Sequence, residues 1–221
     1  MEMNKNSVII GILSVIGIII FLAAAYILTS QQTPTDFPAA NQILPTDHVK
    51  WSPDKKTILV EYSDLQCPAC KEFHDYIQQF EASSSADYNL THHITFVYRN
   101  YPLTQIHPHA REAALAAEAA AIQGKFFPFT DKLFATQTTW SQQTDAVSYF
   151  ISYAKDLGLN VDQFKSDMQS KAVEDKVNND IQSGNSVDIQ ATPTFFLNGK
   201  KLDSIQSFDQ FKQLLKNAAG L

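Results

Sequence analysis

The chain has 221 residues, enough for one sizeable domain with an anchor or tail and short for two full domains. Its formal charge is -6, its pI is about 5.4 and no run of Lys and Arg stands out, so the basic footprint of a nucleic-acid binder is missing. A hydrophobic content of 44% with 15 Phe and 8 Tyr supplies a packed core.

Val8–Leu28 is an unbroken run of apolar or small residues. As a helix it would reach about 31 Å, the thickness of a bilayer core. Lys5 precedes the run and no Lys or Arg follows until Lys50. That asymmetry favours a cytoplasmic N-terminus and an exported remainder. Ala23-Ala24-Ala25 offers a rival reading as a cleaved signal peptide, although the run continues past it. The expectation is a cytoplasmic stub and transmembrane anchor over residues 1–28. Thr29–Asp47 follows, polar with three Pro and no Gly, and reads as a semi-extended linker.

Residues 50–56 read as a turn-rich opening to the folded part. Thr57–Tyr62 is apolar enough for a central strand. Helical sequence starts at Pro68, with Phe73, Ile77 and Phe80 on one face, and Ser83-Ser84-Ser85 reads as its stop. Ile94–Tyr98 is a second strand, so a crossover should make the two strands parallel. The middle is helical: Pro108–Gln123 is Ala-rich, Phe126–Thr136 and Asp145–Leu157 follow, and 161–183 holds one or two helices ending at Gly184. Thr194–Leu197 is a strand, Asn198-Gly199 a hairpin turn and Lys200–Leu202 the return. Ser207 and Gln210 resemble a capping box for a last helix that buries Phe208, Phe211, Leu214 and Leu215.

The only two cysteines, Cys67 and Cys70, stand three positions apart. A bridge over so short a loop constrains the unfolded chain by only about 2 kcal/mol, so chemistry explains the pair better than stapling. Pro68 suits the first helical position, which sets Cys67 at the helix N-terminus, where free N–H groups favour a thiolate. Cys70, one turn on, can close the bridge. Zinc would need about four ligands, and no further Cys or suitably spaced His pair supplies them. Haem attachment would need His after the second Cys, and Lys71 stands there. No metal or cofactor is expected.

Three stretches, ILVEYSDLQCPACKEFH, YRNYPLTQIHPHAREAALAAEAA and ATPTFFLNGK, together resemble the DsbA-like thiol–disulfide oxidoreductases, most of all their membrane-anchored forms. The resemblance runs from about Asp47 to about Ala219. It implies an α/β thioredoxin-like fold with an inserted helical domain, preceded here by one transmembrane helix. The core would take residues 48–107 and 187–221, and the insert residues 108–186. It implies that Cys67 and Cys70 are the redox pair around the dipeptide Pro68-Ala69. Pro193 would be a cis-proline lying against the pair and presenting backbone to a substrate peptide, with Thr192 touching the site. Glu61 would lie beneath the pair and move the Cys70 proton. His107 is read as a helix-start or packing residue, and His74 as a residue of the helix surface. Ala69 departs from strongly oxidising members, which often place His there.

These readings point to an extracytoplasmic, single-pass membrane enzyme. Its leading activity is that of an oxidase donating disulfides to reduced exported proteins. A quinone-linked membrane partner of the DsbB or VKOR type would reoxidise it, and the chain would act as a monomer. The alternatives are a reductase or isomerase using the same residues, a CxxC module for Cu(I), and a scaffold without catalysis.

Overall fold

The computed structural model describes residues 5–30, 37–82 and 90–221. The chain divides into two units, Met1–Thr35 and Asp36–Leu221. The first holds helix α1, Lys5–Ser30. Its described side chains cover 13–25, about 20 Å of helix. Among the described residues, no helix is long and apolar enough to cross a membrane. The anchor expected over 1–28 therefore has a helix in place, while the span itself is a matter for proposal.

The second unit is built on five strands: β1 (His48–Trp51), β2 (Ile58–Ser63), β3 (Thr95–Asn100), β4 (Thr194–Leu197) and β5 (Lys200–Lys201). Their spatial order is β1-β3-β2-β4-β5. β2 and β3 run parallel, joined through helix α2 (Pro68–Ala82), and every other pairing is antiparallel. β2 is buried along its whole length, and its two faces serve different cores. Ile58, Val60 and Tyr62 pack with Val97, Phe196 and Ile189. Leu59 packs on the other face with Cys70, Ile77 and Phe96. Strand alternation sends Glu61 and Ser63 to that second face, toward α2.

Between β3 and β4 lie α3 (Ala110–Ile122), α4 (Phe126–Ala135), the short α5 (Gln137–Trp140), α6 (Ala146–Asp156), α7 (Val161–Met168) and α8 (Lys171–Ser186). The fold is thus thioredoxin-like α/β with a helical insertion. Ala113, Ala116, Ala117 and Ala120 are fully buried on α3 and let neighbouring helices approach closely. Phe129, Phe134, Phe150 and Phe164 fill the layer, each worth about 1.5–3 kcal/mol of apolar burial. The last helix, α9 (Phe208–Ala219), buries Phe211 and Leu215, and the Ser207 hydroxyl accepts from Gln210 N–H at 3.2 Å.

Four expectations need correction or limit. The turn-rich opening read over 50–56 is bent backbone from Ser52 onward, but its first two residues, Lys50 and Trp51, end β1, an edge strand held by its register with β3, which Trp51 leaves at φ +76°. The linker expected over 29–47 is folded against the sheet from Phe37 onward. Phe37 N–H donates to Gly199 O at 2.7 Å, Ala40 is buried, and the buried Arg99 guanidinium holds Asp47 and Gln42 O. Gly184 does not end a helix. α8 continues through it to Ser186, and a Cβ there would stand 2.5 Å from the Tyr101 ring, so close packing is what needs glycine. The stop read at Ser83–Ser85 lies outside the described residues. The Asn198-Gly199 hairpin forms as expected, with positive φ at both positions.

Candidate active site

The site is assembled where β2 ends and α2 begins. α2 starts at Pro68, whose missing N–H costs nothing in the first turn. Cys67 therefore stands at the helix cap, and its carbonyl accepts from Lys71 N–H at 3.1 Å. Pro68 and Ala69 are exposed. Cys67 is 7% exposed and Cys70 is fully buried, and both are free thiols. The Asp64 N–H lies 3.4 Å from the Cys70 sulfur.

Thr192-Pro193 is a cis peptide. It lies opposite the helix start, and the Cys67 thiol donates to Thr192 O at 3.3 Å. Pro193 is half-buried. The Thr192 hydroxyl is buried without a protein partner, so it is ready to donate to a thiolate at Cys67.

The two sulfurs are driven apart in acidity. A hydrogen bond from the Cys70 thiol, aided by backbone N–H groups of Cys70 and Ala69 at the start of α2 and by Thr192, lowers Cys67 to about 6. Burial pushes Cys70 well above the ordinary thiol value, and the neighbouring Cys67 adds to it. Glu61 is 2% exposed on the strand face below them, and desolvation raises it to about 7. Its cross-strand neighbours are Phe195 and Tyr98, and Ser63 follows on the same face. The Ser63 hydroxyl tempers the upward shifts of Glu61, Cys70 and Tyr98. A carboxyl that titrates near neutrality can accept or return a proton at physiological pH.

Every site residue expected from the sequence thus falls in one neighbourhood. Cys67, Cys70, Pro68 and Ala69 form the loop and helix start, Thr192 and Pro193 face it, and Glu61 lies beneath. The pair can cycle between dithiol and disulfide. Among the described residues, no group of three or more His, Cys, Asp or Glu could hold a metal ion.

The sequence model of the family described as Thioredoxin matches residues 44–217. The chain belongs to the thioredoxin family. Within it, the fold is that of the DsbA-like proteins. BdbD from Bacillus subtilis superposes with a TM-score of 0.70 at 23% identity, covering 85% of this chain and 100% of that one. Alpha-DsbA1 from Wolbachia pipientis gives 0.68 at 23% identity over 82% of this chain and 96% of that one. Curated relatives include the Na(+)/H(+) antiporter NhaA 1 of Mycolicibacterium gilvum, 36% identical over 159 residues, covering 70% of this chain and 24% of the antiporter. NhaA of Herminiimonas arsenicoxydans matches at 35% identity over 71% of this chain and 23% of its own length. The chain thus spans about a quarter of the length of these antiporters.

This thioredoxin-family site also uses residues that sequence reasoning did not single out. The buried Asp64 carboxylate accepts from Gln66 N–H and Leu103 N–H, each at 2.8 Å, and its Oδ2 lies 2.7 Å from His107 Nδ1. Gln137 Nε2 donates to the carbonyls of Leu65 and Cys67 at 2.9 and 3.0 Å. Gln66 joins the layers, accepting from His109 N–H at 2.7 Å and donating to Ser141 O at 3.2 Å. The helical insertion therefore holds the loop that presents Cys67. His107 is more than a packing residue, because it braces that loop through Asp64. His74 is not on the open helix surface: its side chain is 12% exposed, stacked on Phe134 and 3.4 Å from Asp131. An Asp three residues ahead of a Cys at a helix cap is a legible Asx-turn signal; Gln137 carried none.

Proposed function

We propose that this chain is an extracytoplasmic thiol–disulfide oxidoreductase that gives its Cys67–Cys70 disulfide to reduced exported proteins. The observation that carries the reading is the placement of the pair: Cys67 at the start of α2 with its thiol 3.3 Å from Thr192 O of the cis Thr192-Pro193 peptide, and Cys70 fully buried behind it. A substrate thiolate attacks the Cys67 sulfur of the disulfide form. The Cys67–Cys70 bond breaks, a Cys67–substrate disulfide forms, and Cys70 leaves as a thiolate that takes up the Glu61 proton. A second substrate thiolate then attacks the substrate sulfur of that mixed disulfide. The substrate gains a disulfide and is oxidised, while Cys67 departs with the electron pair as a thiolate. A thiol near 6 is a good leaving group, which favours release of oxidised substrate. The backbone beside Pro193 would pair with the substrate peptide, and Thr192 would hold the departing thiolate.

The apolar run of α1 is read as the membrane anchor, with the redox domain on the exported side. A quinone-linked membrane protein of the DsbB or VKOR type would restore the disulfide. The reductase or isomerase direction is favoured by one feature: Ala69 offers Cys67 no side-chain donor.

Equilibrating the full chain with glutathione decides the direction. An oxidase holds its dithiol form under ratios of reduced to oxidised glutathione that leave ordinary protein disulfides intact. A pair that stays oxidised there is a reductase. Refolding of a reduced two-disulfide protein should accelerate with the parent chain and not with Cys67→Ser. Equal rates for the two would remove the catalytic reading.

A further inference from the structure

Asp64 follows the last residue of β2 and is 1% exposed. Every polar group it carries is engaged. Its main-chain N–H points at the Cys70 sulfur, 3.4 Å away. Its carbonyl accepts from Cys67 N–H at 3.0 Å, which closes the turn over 64–67. Its Oδ1 accepts from Gln66 N–H, and its Oδ2 accepts from both Leu103 N–H and His107 Nδ1. One carboxylate oxygen thus holds the redox loop, and the other holds the loop after β3.

That second loop is closed on itself. Leu103 O accepts from Ile106 N–H at 3.0 Å and from His107 N–H at 2.9 Å. Ser63 O accepts from Tyr101 N–H at 2.7 Å. Ser63 O and Asp64 N–H belong to one planar peptide unit, so fixing the oxygen also fixes the direction of the N–H. The aim of this N–H at Cys70 is therefore set from two sides, by the Ser63 carbonyl and by the three donors on the Asp64 carboxylate. The donors that lower Cys67 are a different set: the Cys70 thiol, the backbone of Cys70 and Ala69, and Thr192.

We infer that the Asp64 main-chain N–H is the donor that holds the charge arriving on Cys70 as the Cys67–Cys70 bond opens, and that His107, gripping the Asp64 carboxylate, keeps this donor aimed. The role rests on the reading of Cys67 as the attacked sulfur and Cys70 as the leaving one, and it holds for either direction of electron flow. A substrate thiolate attacks the Cys67 sulfur of the disulfide form. A bond forms between the attacking sulfur and Cys67, the Cys67–Cys70 bond breaks, and its electron pair moves onto Cys70 as a thiolate, which is then protonated. Cys70 is fully buried, so this charge develops on an atom out of reach of bulk solvent. Such a charge is costly unless a hydrogen-bond donor already stands against it. A donor fixed beforehand needs no rearrangement as the charge appears. The Asp64 N–H is in place in the dithiol form, before any charge arrives. The same donor serves the return step, in which the Cys70 thiolate attacks Cys67 in a mixed disulfide. His107 is a positioning residue, acting through Asp64.

The test uses the full chain, quenched with acid and weighed by mass spectrometry. Opening is read as loss of the disulfide form in excess reduced glutathione. Closure is read as decay of the mixed disulfide after the reduced chain meets oxidised glutathione. Removing an oxyanion donor outright costs about 10²–10³ in rate, and misaiming one costs less. His107→Phe keeps a ring and loses the donor, and should slow opening roughly fivefold to tenfold. Closure passes the same transition state and should slow by the same factor. The equilibrium with glutathione and the Cys67 thiolate absorbance midpoint should therefore hold. His107→Asn, whose Nδ2 can take the place of the ring Nδ1, should recover most of the parent rate. Asp64→Asn keeps one acceptor oxygen and loses the other, and should repeat the signature of His107→Phe. Parent rates in both His107→Phe and Asp64→Asn overturn the donor role and leave the exchange reading standing. Slowing that moves the Cys67 midpoint, or that His107→Asn fails to recover, marks a loosened loop and overturns it too. Digestion of the quenched mixed disulfide locates glutathione: on Cys67 as expected, whereas on Cys70 both the donor role and the reading beneath it fall.

Discussion

Glu61→Gln should make the reduced protein more stable at neutral pH while slowing its chemistry. Glu61 is a carboxyl raised from 4.5 to about 7 by burial on the central strand. The folded state therefore holds a proton that the unfolded state has released. Below pH 4.5 both states are protonated, and the group contributes nothing to the pH dependence. Between 4.5 and 7 stability falls as pH rises, at about 1.4 kcal/mol per pH unit. Above 7 the loss is complete at about 3 kcal/mol, an order-of-magnitude figure for a buried group. Glutamine has the same shape and no charge to desolvate. Urea denaturation of the reduced full chain from pH 4 to pH 8.5, compared with Glu61→Gln, isolates the effect because the other titrating groups cancel in the difference. The two curves should meet near pH 4.5 and separate by about 3 kcal/mol at pH 8. Parallel curves across that range would refute the buried, raised carboxyl and the proton role built on it.

Thiolate absorbance of Cys67 should titrate with a midpoint near pH 6, and Thr192→Val should move that midpoint up by about one pH unit, since a charge-assisted hydrogen bond is lost. Asp64→Ala should cost about 3–5 kcal/mol in urea denaturation, because it strands the buried N–H groups of Gln66 and Leu103 and frees His107. Gly184→Ala should lower the urea midpoint by an amount equivalent to about 1–3 kcal/mol, as the Tyr101 ring it would strike is tied to Asn185 Oδ1 at 2.8 Å. The redox equilibrium with glutathione should hold steady between low and high salt. Nothing among the groups lowering Cys67 is a charged side chain, and hydrogen bonds to a sheltered sulfur are screened little.

What the sequence disclosed was local. A strand, a Pro at the first helical position and two sulfurs one turn apart fix the redox loop within a dozen residues, so that part was readable. Glu61, Thr192 and Pro193 were reached through resemblance to a family, and their juxtaposition with Cys67 needed the fold. β1 escaped notice because an edge strand of four residues, none of them buried, carries no strong alternation; its pairing with β3 makes it. The fold of 37–47 escaped because Arg99, far along the chain, holds Asp47 and Gln42. The contacts of Gln137 with Cys67 and of His107 with Asp64 cross 70 and 43 positions. Such pairs leave no periodicity, and a helical segment read alone does not disclose which loop it braces.

The same two layers divide the chemistry. The thioredoxin layer sets the acidity of the sulfurs: the start of α2 stabilises negative charge on Cys67, and the sheet face beneath desolvates Cys70 and Glu61. The helical layer sets geometry, through Gln137 on the Cys67 carbonyl and through Ser141 and His109 on Gln66. It also supplies Asp131 to a small cavity that Glu61 lines. Loss of the helical clamp should therefore loosen the presentation of Cys67 while leaving the desolvation of Cys70 in place. Loss of Glu61 should leave the loop intact while removing the proton acceptor proposed for Cys70. The loop that presents Cys67 is clamped by the helical layer while Glu61 is buried in the sheet, so on the proposed reading attack and resolution can be tuned separately on one scaffold. Ala69 lies at the exposed end of that division, where a change alters the Cys67 sulfur and touches neither the buried acid nor the clamp.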